Sequence, residues 1–533
     1  MVGRGMLKLA SLALLLSVNG VVSAGDLDSS APLSEKPKGT LFPDAPAEWR
    51  DYFIHTRRAE RAPDALTRCL AYPDLPGNRW PLGYSAMHCH YHHAPTLSPT
   101  EIGDYLARDD VAELEAQVES ILARHAHPGV ERESSHRFFH QLDMRSPDID
   151  RITARWVELA PDSAFAAVAR AKFFSKSGWH ARGSRFAGRT LQGQMSAMSE
   201  WFDKAEAEYR RAIVLRPDFL EAYIGLMHIG KADRQQVGEW AFDKASELDP
   251  SCAEVAYIRM NALLPRWGGS YPRMQSYWSE LESYLETTPM LANQRSAIYV
   301  DYVSVMEQSQ RYQPEAAGIL ELAVLWSANE EAMHIASDSA INYAAGPRDP
   351  HRGAALLLQE SRYRTLNAWG NRALADYFLQ RDAEWALRFA RVAVMEEPDD
   401  GRGRYLLAAA NYNNGNFEDA EQHYLFAVND DTYRQASLRE LGAMWLFDAG
   451  LPPAEAAVKA KPHIDRLLAQ YPDDGRALLL HFHAENFAGR AVPVEAINKF
   501  VEIADLGDPL QASERARILD HMQSKVDPAP APD

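Results

Sequence analysis

Residues 401–432 read as two short amphipathic helices broken at Asn414-Gly415-Asn416. Leu407 and Ala408 mark the apolar side of the first helix. In the second, Ala420, Tyr424 and Ala427 recur at helical spacing, which sets small and aromatic side chains on one face. A neighbouring helix can approach closely over the alanines. Two helices of this length cannot bury their apolar faces alone, so such a unit needs copies on either side. The copies are present: Ala205, Tyr209, Ala212 and Pro217; Gly238, Phe242, Ala245 and Pro250; Ala386, Ala390, Ala393 and Pro398. The first-helix half recurs as Tyr223-x-x-Leu226 and as Leu438-x-x-Leu441-Gly442-x-x-Trp445.

This pattern resembles the tetratricopeptide repeat, in which W-x-x-L-G-x-x-Y on one helix is followed by A-x-x-x-F on the next and a closing proline. The resemblance implies an all-α fold, a right-handed α-solenoid of antiparallel helix pairs. Residues 100–290 and 291–526 form the array. Within the second stretch the pattern predicts helices over residues 293–308, 315–327, 330–344, 352–363, 368–379 and 383–396. Ahead of the array, residues 48–99 are dense in proline, aromatics and histidine and form an irregular N-terminal cap, placed over the first helices. Ser98-Pro99-Thr100-Glu101 opens the array: serine caps, proline suits the first turn, and glutamate reaches back.

Two units are enlarged. The interval Pro161 to Pro217 is much longer than Pro217 to Pro250, which places an insert at residues 177–194 between the helices of the first. The next unit but one carries a longer loop, Leu264-Pro265-Arg266-Trp267-Gly268-Gly269. The pair Trp179-His180-Ala181-Arg182-Gly183-Ser184 and Leu264–Gly269, in this repeat setting, resembles a bacterial tetratricopeptide-like family of unknown function. That resemblance implies a helical-repeat fold and a bacterial, periplasmic protein, and it adds no catalytic residue.

At the N-terminus, Arg4 and Lys8 precede an apolar run over residues 9–22, and Val22-Ser23-Ala24 is a small-residue cleavage site. Residues 1–24 thus read as a secretory signal peptide and 25–47 as a flexible leader. The run is short for a bilayer and interrupted by Asn19-Gly20, so no membrane insertion is expected after its removal. Residues 527–533 are a proline-alanine tail with no core to join. The 533-residue chain carries 46% hydrophobic residues and a formal charge of -18, which argues against general nucleic-acid binding. Its three cysteines are too few for a disulfide scaffold, but Cys69 and Cys89 share the cap, and an oxidising compartment favours a bond between them. Cys252 is left over.

The sequence holds no phosphate-binding loop of the Walker type, no dinucleotide fingerprint, no H-E-x-x-H and no G-x-S-x-G, and it implies no cofactor. Two concentrations of chemistry remain. His180, Arg182, Arg185 and Arg189 lie between glycines in the insert, and arginines with free backbone amides suit a carboxylate or phosphate. Loops of successive pairs share an edge, so the insert can reach Arg266 and Trp267, with the indole as a cation–π wall. The other reading is that these arginines bridge acidic residues and brace the array. In the second concentration, an extended backbone would set His88, His90 and His92 on one face, as a zinc or copper set, with Cys89 on the other. Without a fourth ligand the sequence favours plain hydrogen-bonded histidines, and hence no metal.

The function expected from these features is a non-enzymatic periplasmic scaffold binding a protein or peptide along a groove of stacked first helices. The alternative is an enzyme or binding protein for a small anionic or glycan ligand at the Arg182 and Arg266 loops.

Overall fold

The computed structural model describes residues 33–35, 40–127, 129–185, 187–306, 310, 313–342 and 348–526. The signal peptide, most of the leader and the proline-alanine tail lie outside them. Among the described residues every regular element is helical, and the chain divides into two units after Glu384.

The first unit begins with three helices, α1 (Ala47–Ala59), α2 (Ala65–Ala71) and α3 (Tyr84–His93), the last two joined by a longer irregular connection. Then come α4 (Pro99–Ala107), α5 (Val111–His125), α6 (Ser134–His140) and α7 (Pro147–Leu159). The repeat pairs follow: α8 (Ala164–Arg182) with α9 (Gln192–Leu215), α10 (Leu220–Asp233) with α11 (Gln235–Leu248), and α12 (Ala253–Ala262) with α13 (Tyr271–Leu281). Next are α14 (Ala292–Ser304) with α15 (Pro314–Trp326), α16 (Glu330–Asn342) with α17 (Pro350–Tyr363), and α18 (Ala368–Phe378). α19 (Ala383–Glu396) runs across the division. The second unit holds α20 (Gly401–Asn414) with α21 (Phe417–Ala427), α22 (Arg434–Ala443) continued by a π-helical turn, α23 (Pro453–Gln470), α24 (Gly475–Phe487), α25 (Val494–Ile503) and α26 (Pro509–Val526).

The alanine positions of the repeat are buried, and its aromatic positions are buried or, at Phe242, half-buried. Ala205, Tyr209, Ala212, Ala245, Ala386, Ala390, Ala420, Tyr424 and Ala427 are all buried, as are Leu407 and Ala408. Packing is tight enough to exclude a methyl group. A Cβ built on Gly225 of α10 would lie 2.1 Å from Cζ of Tyr209 on α9, so this aromatic seats directly on a glycine backbone. Helix ends follow local chemistry. Ser98 accepts from the Glu101 amide at 3.2 Å, and the Glu101 carboxylate accepts from the Ser98 amide at 2.8 Å, which completes the capping box. The chain is an all-α solenoid of tetratricopeptide-like helix pairs.

The N-terminal cap packs mainly against later helices, while α3 also touches α6, whose Arg137 donates to the His90 carbonyl. The Tyr52 hydroxyl donates to the Ala355 carbonyl (3.3 Å), the Trp80 indole to Val324 (3.0 Å), and Arg362 of α17 donates to the Cys69 carbonyl (2.8 Å). Buried Arg57 of α1 binds Asp382 at 2.5 Å and Glu384 at 2.7 Å. Cap residues thus fill against α14–α18, because their aromatic side chains find the apolar faces left by those helices.

Candidate functional site

The tryptophan motif folds differently from a loop insert. Trp179, His180 and Arg182 form the last turn of α8, which ends at Gly183, and α9 begins at Gln192. The connection is only residues 183–191. Lengthened helices, not a long loop, account for the enlarged unit. Arg182 is buried, its guanidinium carbon 5.4 Å from the Trp267 ring and 6.0 Å from that of Trp179. The two indoles stand nearly perpendicular, centroids 6.1 Å apart. Lys231 of α10 lies beside both, Nζ 5.2 Å from Trp179 and 5.9 Å from Trp267, and donates to Asn261 Oδ1 at 3.1 Å. Trp179 donates its indole N–H to His228 Nδ1 (3.1 Å), and burial holds that imidazole well below its ordinary pKa, so it is the neutral acceptor this bond needs.

Arg182 donates to the Gly183 carbonyl (3.1 Å), and neither Arg182 nor Lys231 has a carboxylate at ion-pair distance among the described residues. Burial first, and Arg266 second, push the Lys231 ammonium down to about 8. Arg266 pairs with buried Asp301 at 3.4 Å, which also accepts from the Tyr271 hydroxyl at 3.0 Å. Beside this cluster opens a cavity of about 360 Å³, lined by Lys231, Phe242, Arg259, Arg266 and Trp267. Arg259 is engaged by Glu239 at 2.7 Å. The structure therefore brings Arg182, Arg266 and Trp267 to one place, with bracing at Arg266 and none at Arg182. His180, Arg185 and Arg189 are exposed and outside the cavity. Lys231, absent from the sequence reading, completes the group; a lone lysine ending a helix gives no signal of its own.

The histidine run is helical, not extended. Gly83 starts α3 in the left-handed region (φ 80°), Pro95 follows its end, and nothing between them opposes a helix. The change of period separates the expected ligands. His88 and His92, one turn apart, both face Glu330 Oε1, at 2.9 and 3.1 Å. His90 points away to Glu131 (3.1 Å). Cys89 is bonded to Cys69, Cα atoms 5.6 Å apart, while Cys252 is a buried thiol. A cavity of about 300 Å³ lies beside His88, His92, Glu254, Asn293 and Glu330.

A further buried network went unread in the sequence, since its members come from separate helices. His136 of α6 bonds Glu221 of α10 through Nδ1, while its Nε2 lies 3.1 Å from Cys252 Sγ and 3.3 Å from Glu133. Lys172 approaches Glu221 at 3.4 Å. Against the effect of burial, Glu221 holds His136 well above its ordinary pKa, and Glu221 is held far down by His136 and Lys172. Burial pushes the Cys252 thiol up to about 12, so it is not a nucleophile at neutral pH. This network is an electrostatic tie between helices.

No described helix is long and apolar enough to cross a membrane. No family model matches the chain, and no curated protein is significantly similar to it. Among solved structures it is similar to the tetratricopeptide domain of P58(IPK) (16% identity, 76% of this chain and 99% of that one, TM-score 0.23). It is also similar to the Cut9–Hcn1 hetero-tetramer of the APC/C (11%, 78% and 95%, TM-score 0.29) and to yeast Tom70 (11%, 80% and 94%, TM-score 0.27).

Proposed function

We propose that this chain is a non-enzymatic periplasmic helical-repeat scaffold that binds a protein or peptide partner and receives an acidic side chain of that partner beside Trp267. The observation that carries the reading is the pair Arg182 and Lys231, held against two indoles with no carboxylate partner among the described residues, next to an open cavity. Removing a cation from water without a counter-ion is costly, and a carboxylate on an incoming chain would supply one through charge-assisted bonds. The apolar start and its cleavage site support export, and the tryptophan motifs support a place in the bacterial family of unassigned activity.

The second reading, a small anionic or glycan ligand, is favoured by the size of the cavity and its aromatic wall. One experiment separates them. Tagged mature protein is used to capture partners from the native envelope, beside Arg182→Ala and Lys231→Met variants whose circular dichroism matches wild type. A partner retained by wild type and lost by both variants supports the scaffold reading; retention by both variants overturns it. Saturable quenching of tryptophan fluorescence by small carboxylates or acidic sugars, with no protein captured, favours the second reading.

A further inference from the structure

We infer that His88, His92 and Glu330 form a binding site for a divalent transition-metal ion of the zinc type, with open coordination positions facing the adjoining cavity. The argument starts from a hydroxyl. Tyr84 donates its single proton to Asn293 Oδ1 (2.6 Å) and accepts from the Ala328 amide (2.9 Å). With the Asn293 amide oxygen turned to Tyr84, the hydroxyl presents a lone pair to His88 Nδ1 at 3.0 Å, and Nδ1 is the donor in that arrangement. The proton of neutral His88 is thereby fixed on Nδ1, and Nε2 carries a lone pair. That lone pair points at Glu330 Oε1, 2.9 Å away, and His92 Nε2 reaches the same oxygen at 3.1 Å. A lone pair set against a carboxylate oxygen needs a positive charge between or on them: a second proton on His88, or a metal ion.

The donor set suits the ion once the two imidazoles, which lie stacked with centroids 4.7 Å apart and planes 12° from parallel, turn to bring both Nε2 lone pairs to one point. Histidines one helical turn apart plus a carboxylate form an N₂O donor set, and the acceptor that fixes the far nitrogen of a ligating imidazole, usually a carboxylate, a carbonyl or water, is here the Tyr84 hydroxyl. Tetrahedral bonds of ~2.0–2.1 Å would place ligand atoms ~3.3 Å apart, a few tenths of an ångström wider than the spacing to Glu330. α3 cannot drift, because Cys89, between the two histidines, is tied to Cys69. The ~300 Å³ cavity on the open side has Glu254 and Asn293 on its wall, room for water or a substrate group beside the ion.

The test uses the full chain, stripped with chelator and titrated with Zn²⁺ against a chromophoric competitor, with Co²⁺ absorption as a second probe. Wild type should bind one equivalent and show the cobalt spectrum of a low-symmetry N/O site. His92→Ala and the near-isosteric Glu330→Gln should each weaken binding by at least ~100-fold, and Tyr84→Phe by ~10–100-fold. His90→Ala and His125→Ala should bind as wild type, the latter because it belongs to a separate His125–Glu133–His136 group. Circular dichroism checks that each variant folds, and Glu330→Gln alone decides the matter should His92→Ala fail. No stoichiometric Zn²⁺ on wild type overturns the inference in favour of a plain imidazolium–carboxylate pair. Zn²⁺ retained at wild-type affinity by folded Glu330→Gln, or lost with His125→Ala, overturns it in favour of another site. The outcome is independent of the cluster around Trp267.

Discussion

The substitution of glycine by alanine should change sign between two positions of this chain. In a helix interior the exchange ordinarily stabilises by ~1 kcal/mol, because alanine restricts the unfolded chain and has the better helix propensity. Gly318, on α15, is exposed and a Cβ there meets nothing within 4 Å. Gly318→Ala should therefore show the full gain. At Gly225 the same Cβ would sit 2.1 Å from Tyr209 Cζ, 2.2 Å from Cε1 and 2.6 Å from the hydroxyl oxygen. Ordinary contact needs ~3.5–4.0 Å, so the ring must move by more than an ångström. Tyr209 is 1% exposed, so its ring must move within the packed interior. Overpacking costs ~1–3 kcal/mol, and a displacement this large belongs at the upper end. After the propensity gain, Gly225→Ala should destabilise by ~1–2 kcal/mol. Because repeats unfold segment by segment, the assay is amide exchange over α8–α11, supported by thermal melting. Gly225→Ala should lower protection there, and Tyr209→Leu should cost less in the Gly225→Ala background than alone, a coupling a double-mutant cycle resolves. Equal stabilisation at both glycines would refute the packing argument.

Other consequences can be checked together. Ala205→Leu and Ala420→Leu should each destabilise by ~1–3 kcal/mol, read by melting, whereas exposed Glu418→Ala should change little. Cys69→Ser with Cys89→Ser should cost ~3 kcal/mol for a loop of this length, read as a lowered melting temperature that matches reduced wild type. Burial and the neighbouring Arg404 push His423 down to about 4. Below its unfolded pKa of ~6.5 the unfolded chain binds the extra proton, so stability falls from pH ~6.5 towards 4, by up to ~3 kcal/mol. His423→Gln should flatten that part of the pH–melting curve. Binding of an acidic peptide near Trp267 should weaken as pH rises through about 8, where Lys231 loses its charge, and Lys231→Met should remove the dependence, measured by fluorescence titration.

What the sequence made legible was local. Ala420, Tyr424 and Ala427 repeat within a single helix, and helix position is decided by such spacing. The helices expected over 315–327 and 352–363 appear as Pro314–Trp326 and Pro350–Tyr363, each with proline in its first turn. Misreadings arose where a residue type has two physical uses. In the sequence, residues 177–194 read as one loop insert that includes both Gly178 and Gly183. Gly183 does end a helix, but Gly178 is mid-helix because a Cβ there would lie 2.5 Å from the ring of Phe202. The histidine run changed meaning when its period changed from two to nearly four, which exchanged His90 for a glutamate 242 residues away. No pattern in one chain announces such a partner.

The placement of α3 also constrains where a partner can bind. Tyr84 hydrogen-bonds Asn293 at the start of α14, His88 and His92 reach Glu330 at the start of α16, and Tyr91 lines one cavity with Glu254 at the start of α12. The first turns of three successive repeat helices are thus covered by the chain's own N-terminal segment. An incoming peptide that used this face would have to expose Tyr84, Met87 and Cys89, all buried, at a cost of ~1.5–3 kcal/mol for each large apolar side chain, while the disulfide limits how far the segment could swing. On the proposed scaffold reading, a partner gains more by docking at the cavity beside Trp267, whose Lys231 has no carboxylate at ion-pair distance among the described residues. Amide protection over residues 84–93 should be unchanged when a partner is bound, while protection around Lys231 and Trp267 rises. Loss of protection in 84–93 on binding would show instead that the partner displaces α3.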